Sequence, residues 1–164
     1  MIKITGLTAV FICCCLLGMS KTSKLNRRLS ELKLIRRMLC EFCIMLEYNC
    51  STVLELIKSS AHNKELSRLE FLSCDKNAAD ISSSVVKAVS QWQTDITSDE
   101  KDRLISVFEE LGTTDLNGQL AMLSYNKEYF QRSIEELEKS KPMKARLYNS
   151  LGFLGGIFAV VMLM

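Results

Sequence analysis

Two uncharged runs, one near each end, constrain this chain more than any other feature. Lys3 and Lys21 bracket 17 residues, Ile4 to Ser20, without a charged side chain, and Arg146 is followed by 18 more, Leu147 to Met164. As helices these runs reach about 26 and 27 Å at 1.5 Å per residue. The hydrocarbon core of a bilayer is about 30 Å thick. Both are short but workable spans, because flanking lysines and arginines can snorkel. The sequence therefore predicts an N-terminal transmembrane helix over 1–20, a central domain over 21–146 and a C-terminal transmembrane helix over 147–164.

A cleaved signal peptide is the alternative for the first run, since Gly18 and Ser20 are small enough for a cleavage site. Its charge is distributed the wrong way. Only Lys3 and the α-amine precede the run, whereas Lys21, Lys24, Arg27, Arg28, Lys33, Arg36 and Arg37 follow it, against one acid, Glu31. A buried core helix is the alternative for the second run. Lys139, Lys141, Lys144 and Arg146 precede that run, so both flanks of the central segment are basic. The positive-inside rule then puts 21–146 in the cytoplasm and both termini outside. On this reading Lys21, Lys24, Arg27 and Arg28 face anionic lipid headgroups.

The central segment reads as helix throughout. Leu25, Leu29, Leu32, Ile35, Leu39, Phe42 and Leu46 recur at three and four, one stripe along about six turns. Asn49-Cys50 ends it. Ser51 or Thr52 caps a second helix, with Thr52 and Glu55 in capping-box spacing. Leu66, Leu69 and Leu72 predict a short helix, Asp75 to Asp80 a polar connection, and Ile81 to Trp92 a further helix. Thr97-Ser98-Asp99-Glu100 opens the next, which continues through Phe108 and Leu111. Gly112 stops it as a left-handed residue, and Asp115 caps a second long helix striped by Leu116, Leu120, Leu123, Phe130, Ile134 and Leu137. Lys141-Pro142 is expected to interrupt that helix before the terminal span. The fold class is all-α: two long helices leading to the membrane, with shorter helices packed between them.

Composition excludes several function classes. The net charge of +2, with 24% charged and 48% hydrophobic residues, gives no general signal for nucleic acid. Charge is segregated, however. Residues 21–40 carry seven basic and one acidic side chain, and residues 95–140 five basic and eleven acidic. The ordinary explanation is solvated helix faces; the functional one is a basic part on lipid and an acidic part against a basic partner. A single histidine, His62, leaves His-based metal or triad chemistry without ligands, and it reads as a charge near a helix C-terminus. Cys40 and Cys43 form a CxxC, but Cys50 and Cys74 are scattered, so no two close pairs converge as tetrahedral zinc requires. They read as small core residues in a reducing compartment. Glu109-Glu110 and Glu135-Glu136 are consecutive and point apart. No phosphate-binding or nucleophile-elbow motif is present. The sequence predicts no enzyme and no cofactor.

Gly152 and Gly156 form a small-xxx-small pair in the terminal run, with Gly155 and Ala159 near the same face. That spacing lets two membrane helices approach closely, and it also accommodates a second copy of this chain.

Two segments carry a resemblance. Phe108-Glu109-Glu110-Leu111-Gly112-Thr113-Thr114-Asp115-Leu116-Asn117-Gly118-Gln119 and Ser150-Leu151-Gly152-Phe153-Leu154-Gly155-Gly156 resemble the stage III sporulation protein AB family of endospore-forming bacteria. Leu25 to Tyr48 and Ser51 to Leu56 also fit. The likeness is strongest in the last third. It departs at Thr52, where a proline is expected, and at Glu109, where a small residue is expected, and residues 60–95 do not align. The resemblance implies a structural membrane component of the assembly between mother cell and forespore. Its soluble domain would be similar to the cytoplasmic domains of the type II secretion inner-membrane platform protein. The implied partners are other membrane subunits of the sporulation channel and an associated ATPase, and the implied location is the mother-cell membrane facing the forespore. Phe108, Gly112, Asp115 and Gln119 would build a turn and cap between two helices, with Gln119 satisfying a buried backbone group or a partner. A generic membrane-anchored sensor or regulatory adaptor is the competing reading, and a redox or zinc protein using Cys40 and Cys43 a third.

Overall fold

The computed structural model describes residues 2–49, 52–73 and 81–163. The side chains of residues 2–15, 17–19, 49, 67, 73, 149, 152, 156 and 159–163 lie outside that description. The described residues are all helix, turn or loop, without a strand. Five α-helices follow one another: α1 (Ile2–Asn49), α2 (Val53–His62), α3 (Ile81–Gln91), α4 (Ser98–Glu110) and α5 (Leu116–Leu163). The expected Asp75 to Asp80 connection and Ser51 cap fall outside the described residues.

The chain forms two compact units: residues 30–135, and residues 1–29 together with 136–164. In the first, the leucine stripe of α1 buries as its period requires. Leu32, Ile35, Met38, Leu39, Phe42 and Leu46 are all buried. Phe42 meets Phe108 of α4 edge-on at 6.3 Å, Phe108 meets Phe71 at 5.9 Å, and Phe71 meets Trp92 at 5.1 Å. These T-shaped contacts set the positive ring edges against negative faces. They join α1, α4 and the loops beside α3 in one core.

Two capping boxes start the short helices. Thr97 Oγ1 accepts from the Glu100 amide, and Glu100 accepts from the Thr97 amide at 2.9 Å. Thr52 and Glu55 repeat the arrangement at α2. Each box satisfies two amides that helix geometry leaves without intrahelical partners. At the far end of α3, Lys101 donates to the carbonyls of Ser90 and Trp92 at 2.8 and 3.1 Å. This places a cation on the negative end of the helix dipole.

Three elements differ from the sequence expectation. Leu66, Leu69 and Leu72 are buried, but on two 3-10 turns, Leu66–Arg68 and Glu70–Ser73, rather than on an α-helix. Trp92 lies one residue beyond α3, where the backbone leaves the helix to seat the ring against Phe71. Pro142 does not interrupt α5, which runs through it. Proline there removes one amide donor and crowds the preceding turn, at about 3 kcal/mol. Pro142 is exposed, so water can take the released carbonyl. The stripe of α5 also begins later than its leucines imply: Leu116 is exposed and Leu120 half-buried, and burial starts at Leu123.

In the unit of residues 1–29 and 136–164, Leu29 and Leu137 are buried, while Leu16, Met143, Leu147, Leu151, Leu154 and Phe158 are exposed. Among the described residues no helix is long and apolar enough to cross a membrane. Most side chains of the first expected span, including Cys13, Cys14 and Cys15, fall outside the description.

Candidate functional site

The α4–α5 turn is built as the glycine and aspartate spacing requires. α4 ends where the Leu111 amide donates to Val107 and the Thr113 amide to Glu110, at 3.0 and 3.1 Å. Between them Gly112 takes φ +85°, a left-handed conformation that costs a side chain free energy. A methyl group there would also meet Val53 Cγ2 at 2.8 Å, so the position needs glycine for conformation and for space. Asp115 then caps α5, its Oδ1 accepting from the Gly118 amide at 3.2 Å.

Gln119 does not reach a buried group. Its Nε2 donates to the carbonyl of Thr114 at 2.8 Å, at the surface, because Thr114 to Asn117 are themselves exposed. Phe108 is a core residue at the aromatic junction rather than part of the turn.

Of the glycines singled out in the terminal run, Gly155 is exposed and a methyl group added to it would meet nothing within 4 Å. Gly152, Gly156 and Ala159 lie outside the described side chains. Lys21, Lys24 and Arg27 are exposed and Arg28 is half-buried.

Two features carried no clear sequence signal. Glu31, the one acid in the basic stretch, is buried. It accepts from Thr94 Oγ1 at 2.5 Å and from the Asp95 amide at 3.1 Å, tying the loop before α4 to α1. An isolated acid among seven cations was the only hint. Arg103 is stacked between two tyrosines, its Cζ 5.1 Å from the Tyr125 ring centre and 5.0 Å from that of Tyr129. Its Nη2 also donates to Tyr125 Oη at 3.3 Å. Such cation–π contacts fix the guanidinium at the surface, but they join α4 to α5 across 22 residues, beyond the reach of a local pattern.

The cysteine and histidine candidates lie on α1 and α2. Cys40 and Cys43 are free and half-buried. Burial is the main reason the Cys43 thiol is pushed above its ordinary 9.0; Cys40 and Glu47 act in the same direction and Lys127 against them. A raised thiol is the opposite of what a nucleophile needs. Among the described residues no group of three His, Cys, Asp or Glu side chains gathers to hold a metal ion. His62 bonds through Nδ1 to the Lys58 carbonyl at 2.8 Å in the last turn of α2. Glu128 and Arg132 pair one turn apart on the exposed side of α5, which lowers the Glu128 carboxyl and raises the guanidinium.

Residues 3–164 match stage III sporulation protein AB. The chain belongs to the stage III sporulation protein AB family. The match takes in residues 60–95, which the sequence motifs alone left unaligned, and both uncharged ends. Membership of the stage III sporulation protein AB family gives the chain a role in sporulation. No curated protein and no solved structure matches it.

Proposed function

We propose that this chain is a structural membrane component of a secretion-like channel complex between mother cell and forespore, anchored by a helix at each end. The observation that carries this reading is the family match along residues 3–164. The two uncharged runs, bounded on their inner sides by basic residues, support the anchors. Support for a hairpin of two spans also comes from the compact unit that residues 1–29 and 136–164 form. The central domain then faces the cytoplasm of the mother cell. There it serves as a platform for other membrane subunits and an associated ATPase, in the manner of the type II secretion platform protein. Its role is positional, not catalytic.

The test replaces the chromosomal copy in a sporulating host with the Gly152→Leu, Gly156→Leu variant. The protein should accumulate and keep its helicity, while co-purification with partner membrane proteins and spore formation are lost. Normal co-purification and sporulation would sink the reading. A reporter active only in the cytoplasm, fused at Met164, should stay dark; signal there would refute the hairpin.

A further inference from the structure

The two compact units divide the charge sharply. Residues 1–29 and 136–164 hold nine basic and two acidic side chains, a net of +7; residues 30–135 hold twelve basic and seventeen acidic, a net of −5. Within the basic unit the cations are not spread evenly. Four fall between Lys21 and Arg28 and four between Lys139 and Arg146, each group immediately next to an uncharged run. Each group covers about 10 Å of helix. Lys21, Lys24 and Arg28 recur at three and four and so share a face, as do Lys141 and Lys144. Lys21, Lys24, Lys144 and Arg146 are exposed. Directly beyond Arg146, Leu147, Leu151, Leu154 and Phe158 stand 55–66% exposed at spacings of four, three and four, an apolar stripe that continues where the cations stop.

We propose that these two groups of cations form one composite site that selects anionic phospholipid headgroups, with the adjoining apolar stripe against the acyl chains. The inference rests on the membrane reading given under Proposed function, and it adds a lipid class and a site made of both flanks. Each group's depth of about 10 Å matches the Debye length of about 8 Å at physiological salt, so its members lie close enough to the headgroups to contribute. Arg36, exposed but fifteen residues beyond Lys21, about 22 Å of helix, lies outside that range. Charge complementarity decides the occupant: the eight cations of the two groups, against Glu136 and Glu138, give a net of +6 beside an exposed leucine and phenylalanine stripe, which fits a ligand with a phosphate diester and a hydrocarbon tail.

The full chain, immobilised in neutral detergent micelles, is incubated with equimolar phosphatidylglycerol and phosphatidylcholine, washed, and the bound lipid quantified by mass spectrometry. Phosphatidylglycerol should be enriched at least tenfold in low salt, and the enrichment should collapse in 0.5 M salt. Lys21→Gln with Lys24→Gln, and separately Lys144→Gln with Arg146→Gln, should each reduce it about threefold. All four changes together should abolish it, and Arg36→Gln should leave it intact. Circular dichroism monitors the fold of each variant, and the salt response of the unaltered chain stands even if a variant misfolds. Equal retention of the two lipids, or an equal loss with Arg36→Gln, would overturn the proposal. So would displacement of the phosphatidylglycerol by an RNA oligomer, which would mark a general polyanion surface. Release of the unaltered chain from cell membranes by alkaline carbonate would instead break the membrane reading, a separate result.

Discussion

Residues 30–135 and the unit of residues 1–29 and 136–164 draw on the same two long helices, yet they treat apolar side chains in opposite ways. In the first, α1 presents Leu32, Ile35, Leu39 and Phe42 to a core and buries them completely. In the second, α5 carries Leu147, Leu151, Leu154 and Phe158 with more than half of each exposed. An amphipathic helix is stabilised by what its stripe touches, whereas a helix apolar on several faces needs an apolar surrounding. The contrast teaches that length and helicity alone do not say which kind of helix is present; the position of the charges does.

The sharpest way to break that contrast is a lysine in each place. Leu39→Lys puts an unpaired ammonium in a fully buried site and should cost about 5 kcal/mol, a large share of any domain's stability. Leu154→Lys, at a position 61% exposed, should leave the thermal midpoint of the central domain within the equivalent of about 0.5 kcal/mol and, on the proposed membrane reading, weaken retention in the membrane fraction. Equal losses of midpoint would erase the distinction. Next comes Phe108→Ala, which removes the ring shared by Phe42 and Phe71 and should cost about 3–5 kcal/mol by denaturant titration.

Gly112→Val should cost about 3 kcal/mol, since it combines a left-handed conformation with the approach to Val53. Adding Val53→Ala should recover only the steric share; full recovery would show that φ is not the constraint. Thr97→Ala breaks one capping box and should cost about 1 kcal/mol.

The smallest effect concerns pH. The Cys43 thiol is raised, chiefly by burial, so its neutral form is the one the fold favours. That contribution is fully present below the ordinary value of 9.0 and is lost as pH rises through the raised one. Midpoints measured from pH 7 to pH 10.5 should fall less in Cys43→Ser than in the unaltered chain. The thiol should also react with iodoacetamide more slowly than free cysteine does at pH 8.

Much of this was legible in the sequence for a physical reason: helix stripes, capping boxes and the glycine stop are local codes read over three or four residues. Leu29 to Leu46, Thr52 with Glu55, Thr97 with Glu100, and Gly112 with Asp115 all fall in that class. Pro142 misled because its cost is finite and the flanking turns favour helix. Leu116 misled because periodicity does not say where a neighbour ends. The 3-10 turns at Leu66 to Ser73 arise from packing three leucines and Phe71 into a short connection, which overrides the helical period. The Glu31 and Arg103 contacts join residues far apart in the chain, so no local pattern carries them.

The Glu31 contact has a consequence for synthesis in the cell. It closes a span of 63 residues between α1 and Thr94, and the aromatic partner of Phe42, Phe108, comes later still. At about 5–20 residues per second, the ribosome makes Thr94 roughly 3–13 s after Glu31. During that interval the leucine stripe of α1 has emerged without the α4 half of its core. A helical domain usually assembles from neighbours in sequence; this one must hold its first long helix in waiting, so its N-terminal half is a natural client for whatever shields apolar surface on nascent chains.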